Sequence, residues 1–287
     1  MRKINIAIVG LGNIGSYLYK YLKKNKQILA KKNNCIPNII CLSARNKNRN
    51  RGFKINNKQW VKNYLDVTKK KEVDLIIELI GGSEGPAKKL VFNALKNKKH
   101  VVTANKALIS NYGDQLSKIA EKNRVNLEFE AAVCGGVPII RSLKESLIAN
   151  KINKVYGIFN GTSNYILSLM DKENKSFNEV LIKAQKLGYA ESNPTSDLSG
   201  EDVAAKLKIL SSLCFNSFLN KNIHVEGIKD IDKDDIKYAK KLGYKIKLLG
   251  YAELIGNHIY QRVHPTLIKK SSYVASIDGV LNAIIID

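Results

Sequence analysis

The hexapeptide Gly10-Leu11-Gly12-Asn13-Ile14-Gly15 follows directly on an apolar run, Ile4 to Val9, and leads into SYLYKYLKK, whose apolar residues recur at helical spacing. Strand, glycine-rich turn and helix in this order open a parallel α/β sheet built to hold a dinucleotide. Gly10 permits the tight turn, Gly12 lets backbone approach a pyrophosphate, and Gly15 lets the helix pack on the strand, with the helix N-terminus facing the anion. The plainer alternative is that the glycines only make a turn. Either way the N-terminal part must alternate strands with crossover helices.

The following segments keep that alternation. Asn38–Leu42 reads as a second strand, Val73–Ile80 as a third, and Gly81-Gly82-Ser83-Glu84-Gly85-Pro86 as the turn into a helix through Leu95, with Ser83 over the dinucleotide. His100–Thr103 is a fourth strand ending in Thr103-Ala104-Asn105-Lys106, and Val125–Glu130 a fifth. Open α/β sheets bind ligands at the C-terminal ends of their strands, which positions Lys106 for chemistry. An NAD enzyme offers an acid to the adenosine ribose after the second strand. Here the segment Ser43 to Arg51 holds no acid and three arginines, so NADP is favoured over NAD, with Arg45 the leading contact. Glycine turn and helix start together make Gly10, Leu11, Gly12, Asn13, Ile14 and Gly15 candidate cofactor contacts, with Arg45, Ser83 and Lys106.

Composition removes other classes. The four cysteines, Cys35, Cys41, Cys134 and Cys214, lack CxxC spacing, which predicts neither a zinc ribbon nor a disulfide framework. The four histidines are dispersed, so no transition-metal site is expected. No signal-peptide core or membrane-length apolar run is present, so a reduced, cytoplasmic protein is expected. The formal charge of +23 raises nucleic acid or anionic membrane as partners. The lysines are spread along the whole chain among many asparagines and isoleucines, a pattern of compositional bias, and no arginine-rich arm or RNA-binding motif accompanies them.

The second half carries a denser constellation. Lys151–Phe159 reads as a strand, and Asn160-Gly161-Thr162-Ser163-Asn164-Tyr165 as a turn into a helix whose N-terminus can hold a carboxylate; simple capping would use the same residues. Pro138–Ala149 and Phe177–Leu187 read as helices, and Tyr244–Ala252, Ile259–Thr266 and Val280–Ile286 as strands of an open sheet. Between them AQKLGYAESNPTSDLSGEDVAAK, residues 184–206, gathers Glu191, Asp197, Asp202 and Lys206 across a turn. Apolar Val203, Leu207 and Leu210 predict a helix after Gly200, and Ser199 with Asp202 reads as its capping box. Asp202 and Lys206 then share one helix face, where a carboxylate orients an ammonium. The bland reading is a solvated ion pair.

Ala184, Gly188-Tyr189-Ala190, Asn193-Pro194, Asp197-Leu198, Gly200, Asp202 and Lys206 fall at the spacings of the homoserine dehydrogenase signature, and the chain resembles that family over essentially its full length. NGTSNYIL and TANK match it too. The resemblance implies an N-terminal Rossmann dinucleotide-binding domain over residues 1–131 and an α+β catalytic and dimerisation domain over 132–287 whose open sheet makes a homodimer. It implies NADPH-dependent reduction of L-aspartate 4-semialdehyde to L-homoserine, on the route to threonine, methionine and isoleucine. Lys206 would supply the proton, directly or through a water, held by Asp202, and Lys106 would stabilise the alkoxide. Glu191 and Asp197 would bind the substrate ammonium, Tyr189 would add a hydrogen bond, and Gly161 and Thr162 would hold the carboxylate. It further implies a monovalent cation, sodium by preference, at Glu130, Val133, Gly135 and Val137. The family continues past DGVLNAIIID, so a chain lacking the family's C-terminal end is expected, either a fragment of a longer product or a truncated protein.

The sequence leaves two rival readings. Another Rossmann oxidoreductase of amino-acid metabolism would share GLGNIG but has no reason to carry residues 184–206. A nucleic-acid binder would show salt-dependent affinity unrelated to any nucleotide cofactor.

Overall fold

The computed structural model describes residues 1–216 and 223–287. Its contacts divide the chain into two compact units, Met1–Ala132 and Val133–Asp287.

The first unit runs β1 (Arg2–Val9), α1 (Asn13–Lys24), α2 (Lys26–Asn33), β2 (Cys35–Ser43), β3 (Leu75–Glu78), α3 (Pro86–Lys96), β4 (His100–Thr103), α4 (Lys106–Asn123) and β5 (Leu127–Glu128). The strands lie in the order β2-β1-β3-β4-β5, every pair parallel. This is a Rossmann-type sheet, and its order reverses between β1 and β3. The crevice at a dinucleotide fold's switch point therefore opens beyond the ends of those two strands. Ile6, Ile8, Leu42 and Ile77 with Tyr19 form one buried cluster under it.

Strand limits differ from the sequence reading for local reasons. β2 starts at Cys35, because Pro37 sits in an edge strand where a missing N–H costs little. β3 stops at Glu78, because the Glu78 carboxyl turns back to accept the N–H groups of Ile80 and Gly81 at 2.6 and 3.1 Å. β5 shrinks to two residues because the Val125 N–H is taken by the Ala120 carbonyl and a 3-10 turn begins at Glu130.

The second unit contains α5 (Ile139–Arg141), β6 (Lys154–Ile158), α6 (Gly161–Glu173), α7 (Phe177–Lys186), α8 (Thr195–Leu198), α9 (Glu201–Cys214), β7 (His224–Val225), α10 (Lys233–Lys241), β8 (Tyr244–Ile255), β9 (His258–Lys269) and β10 (Ala283–Ile286). Its described strands form a mixed sheet, β10-β6-β8-β9-β7, antiparallel except between β7 and β9. Helices α6, α9 and α10 pack against β8.

Two sequence expectations fail here. The helix expected over Pro138–Ala149 is only α5 followed by a π turn, Ser142–Ser146, where the Ser142 hydroxyl bonds back to the Pro138 carbonyl at 2.6 Å and competes with the regular ladder. Ser199 is not the cap of α9. That place belongs to Gly200, at φ 85, and Ser199 ends α8 instead. Asp202 is thereby released from capping and turned inward.

Lys247 is the largest fully buried charged side chain among the described residues, 1% exposed. Its Nζ donates to Asn164 Oδ1 at 2.9 Å, Ser168 Oγ at 3.1 Å, the Ile277 carbonyl at 2.7 Å and Asp278 Oδ1 at 2.7 Å. One ammonium thus ties β8, α6 and the 277–278 turn together. Burial pulls its pKa down while Asp278 opposes the shift. Removing the ammonium in Lys247→Met leaves several buried acceptors unmet, and chemical denaturation should show a loss of about 1–3 kcal/mol. Lys245→Met, which removes only the outer partner of Asp278 at 2.9 Å, should cost under about 1 kcal/mol.

Candidate active site

In the first unit the glycine turn is built as the motif requires. Gly10 adopts φ 100, and a Cβ there would lie 2.3 Å from the Leu79 carbonyl oxygen; a Cβ on Gly15 would lie 2.0 Å from that of Gly10. Gly12 faces open space and precedes α1, which carries neither a side-chain cap nor an acid in its first turn. The α1 N-terminus therefore presents N–H groups to an anion. A cleft of about 460 Å³ opens here, lined by Gly10, Leu11, Gly12, Arg45 and Arg49 among others. Asn13 lines the adjoining hollow, and Ile14 is exposed at its helix start.

Arg51 does something the sequence did not disclose. It is nearly buried, and its guanidinium donates to the carbonyls of Leu11 at 3.0 Å, Asn46 at 2.5 Å, Lys47 at 3.1 Å and Arg49 at 2.8 Å. It clamps the loop after β2 onto the glycine turn, leaving Arg45 and Arg49 exposed at the cleft.

Glu78, fully buried at the end of β3, was likewise missed. It accepts from the Thr103 hydroxyl at 2.5 Å; Thr103 Oγ1 accepts from the Asn105 N–H at 3.0 Å; Asn105 Nδ2 donates to the Gly82 carbonyl at 2.7 Å. This chain links the two loops that carry Ser83 and Lys106. Asn105 also caps α4, whose first residue is Lys106. An acid inside the apolar run DLIIELIGG was the available signal, since such a group is buried only with partners.

In the second unit three of the expected residues, Lys206, Asp202 and Asp197, converge. Lys206 Nζ donates to Asp202 Oδ2 at 2.7 Å and to the Phe159 carbonyl at 2.7 Å. Their side chains are 14% and 3% exposed, so the pair is not a solvated one. Asn160 Nδ2 donates to Asp202 Oδ2 and to Asp197 Oδ1, each at 2.8 Å, while its Oδ1 caps α6 by accepting from the Ser163 N–H at 2.8 Å. The N–H groups of Gly161 and Thr162 are left without a partner among the described residues. Thr162 Oγ1 donates to the Tyr189 carbonyl at 2.7 Å, and the Tyr189 ring tilts against Tyr165 at 4.9 Å. Glu191 is exposed and lies outside the hydrogen bonds by which residues 159 and 160 join Asp197, Asp202 and Lys206.

Glu130 lies in the 3-10 turn that ends the first unit. Val133, Gly135 and Val137 belong to a tight loop with φ positive at Cys134 and Gly136, closed by the Val137 N–H on the Cys134 carbonyl at 2.9 Å. Such a loop offers neutral backbone carbonyls, the donor type a monovalent cation takes. Cys134 is buried, with its thiol toward the same Phe159 carbonyl at 3.8 Å.

Fold and sites together define a two-part α/β protein with a Rossmann-type dinucleotide-binding unit and a mixed-sheet unit holding a buried acid–lysine pair. The chain belongs to the homoserine dehydrogenase family: residues 138–287 match the family described as homoserine dehydrogenase, and residues 10–130 its NAD-binding domain. It is 42% identical over 285 residues to homoserine dehydrogenase of Neisseria gonorrhoeae, covering 99% of this chain and 65% of that protein, and 40% identical to that of Pseudomonas aeruginosa, covering 100% and 66%. The chain thus spans about two-thirds of the length of these relatives. A homoserine dehydrogenase structure from Thiobacillus denitrificans superposes with a TM-score of 0.92 at 41% identity, over 100% of this chain and 66% of that one. A hyperthermophilic archaeal homoserine dehydrogenase in complex with NADPH shares the fold, with a TM-score of 0.80 at 24% identity, over 99% of this chain and 88% of that one.

Burial foremost, with Asp202 adding to it and Lys206 opposing, pushes the Cys134 thiol up to about 11. Only the thiolate is nucleophilic, so roughly one thiol in ten thousand is reactive at neutral pH. Iodoacetamide should label half-buried Cys35 well before Cys134, and Cys134 labelling should rise with pH. Fast stoichiometric labelling of Cys134 at neutral pH, read by mass spectrometry, would contradict the geometry.

Proposed function

We propose that this protein is a homoserine dehydrogenase, reducing L-aspartate 4-semialdehyde to L-homoserine reversibly in the synthesis of threonine, methionine and isoleucine. The observation that carries the reading is Lys206, largely withdrawn from water and fixed by Asp202 and the Phe159 carbonyl at 2.7 Å each. An ammonium so held is an oriented proton donor. The bound nicotinamide supplies the hydride that reaches the aldehyde carbon. As the carbonyl oxygen gains charge, Lys206 delivers its proton there, and Lys106 serves as the second lysine, stabilising the oxyanion. Asp197 and Glu191 take the substrate ammonium and Tyr189 adds a hydrogen bond. The N–H groups of Gly161 and Thr162 take the carboxylate.

The cofactor reading is NADP, supported by Arg45 and Arg49 lining the cleft and by the absence of an acid from residues 43 to 51. Gly10 to Gly15, with Leu11, Asn13 and Ile14, cradle the pyrophosphate, and Ser83 covers it. A monovalent cation, sodium by preference, is proposed on Glu130, Val133, Gly135 and Val137. Domain roles follow the same reading: residues 1–131 bind the dinucleotide and 132–287 the substrate. A homodimer is proposed through the sheet face opposite α9, where Tyr156, Tyr251, Tyr260 and Arg262 lie together and Arg262 stacks 4.8 Å from the Tyr251 ring.

The deciding test is NADPH oxidation by the purified protein with aspartate semialdehyde. Lys206→Ala should lower kcat by about 10²–10⁴ while NADPH affinity stays unchanged; no reduction by the unsubstituted protein, or loss of NADPH binding in the variant, sinks the reading. Arg45→Ala should raise KM for NADPH roughly tenfold or more, as expected for a lost charge-assisted contact, with little effect on NADH.

A further inference from the structure

Residues 159 and 160, at the end of β6, touch three charged groups of the second unit, Asp197, Asp202 and Lys206. The Phe159 carbonyl accepts from Lys206 Nζ at 2.7 Å. One residue on, the Asn160 amide nitrogen spends its two hydrogens on two different acids, Asp197 Oδ1 and Asp202 Oδ2, both at 2.8 Å. Its oxygen starts α6 by accepting from the Ser163 N–H at 2.8 Å. Asn160 is 6% exposed, and the two acids come from residues 37 and 42 positions further along the chain.

The amide is the group that chemistry requires at this point. Two carboxylates share one donor, and a neutral side chain with two N–H groups can separate them without adding charge. An acid here would repel both, and a lysine would compete with Lys206 for Asp202. The oxygen on the same amide sets where α6 begins, and with it the Gly161 and Thr162 N–H groups.

We propose that Asn160 is a positioning residue that fixes the proton-donating pair, Asp202 and Lys206, relative to the substrate-anchoring Asp197 and the carboxylate-binding start of α6. The inference rests on the dehydrogenase reading above. It predicts that one substitution disturbs binding and chemistry together, although the Asn160 amide is spent on Asp197, Asp202 and the Ser163 N–H.

The test compares three variants with the unsubstituted enzyme, using NADPH and aspartate semialdehyde. Asn160→Ser keeps a side-chain cap on α6 but loses both amide donors. Asn160→Asp keeps the capping oxygen and sets a third acid against the other two. Asn164→Ser is the structural control, since Asn164 is buried in the same helix but bonds to the carbonyls of Ile277 and Leu281 and to Lys247. Asn160→Ser should lower kcat about 10–100-fold, the worth of hydrogen bonds to charged groups, and raise KM for the semialdehyde, leaving KM for NADPH unchanged. Asn160→Asp should move both in the same directions, and Asn164→Ser should lower the melting temperature without altering KM for the semialdehyde. Near-normal kinetics in Asn160→Ser, equal effects of Asn160→Ser and Asn164→Ser, or failure of both Asn160 variants to fold would overturn the proposal. An unsubstituted enzyme that leaves the semialdehyde unreduced would instead remove the reading beneath it.

Discussion

Withdrawing Asp202 and Lys206 from water is costly, and an ion pair alone does not repay it. Desolvation of each ion outweighs a single contact unless further hydrogen bonds meet the remaining lone pairs and protons. The second unit supplies those from one place, the end of β6, where a backbone carbonyl takes one ammonium hydrogen and an amide gives one to the carboxylate. The α9 register that sets residues 202 and 206 on one face has value only because β6 stops where it does. The cap at Gly200, at φ 85, turns the first residues of α9 so that Asp202 points into the protein.

The first unit meets the same difficulty with other residues. Its loops at the sheet's C-terminal edge must be open to a ligand and yet fixed. Arg51 satisfies four carbonyls and so holds the loop after β2 against the glycine turn, while Glu78 gathers two backbone N–H groups and the Thr103 hydroxyl and so joins the loops after β3 and β4. In both units side chains with no charge-bearing part in the proposed reaction, Arg51 and Glu78 in the first and Asn160 in the second, shape the segments that would carry it.

What could be read from the chain depended on how local the cause was. GLGNIG was legible because a positive φ at Gly10 and the absence of room for a Cβ at Gly15 are demands of adjacent backbone that only glycine meets. Asp202 with Lys206 was legible because helical spacing places them, although their burial was not. The capping box at Ser199 was misread because a competing local choice, glycine in the left-handed region, won the position. Asn160, Arg51 and Glu78 were not singled out at all. Arg51 reaches back 40 residues to Leu11, Glu78 forward 25 to Thr103, and Asn160 forward 42 to Asp202, and no local pattern encodes such pairings.

That distinction bears most on the lysines. A chain with a formal charge of +23 offers many ammonium groups, and neither count nor neighbours say which are special. Burial and partners do. Lys99 is nearly buried and donates to the carbonyls of Lys70 and Val73 at 2.7 Å each and of Lys71 at 3.5 Å, Lys247 meets one acid and three neutral oxygens, and Lys206 meets one acid and one carbonyl. Lys99 and Lys247 have every ammonium hydrogen directed at the protein and so act as ties. Lys206 has three hydrogens and two acceptors among the described residues, which leaves one direction for the reacting oxygen of the proposed reaction. In the dehydrogenase reading proposed above, the lysine suited to proton transfer is thus the largely buried one whose hydrogen-bonding capacity the described residues leave incompletely used.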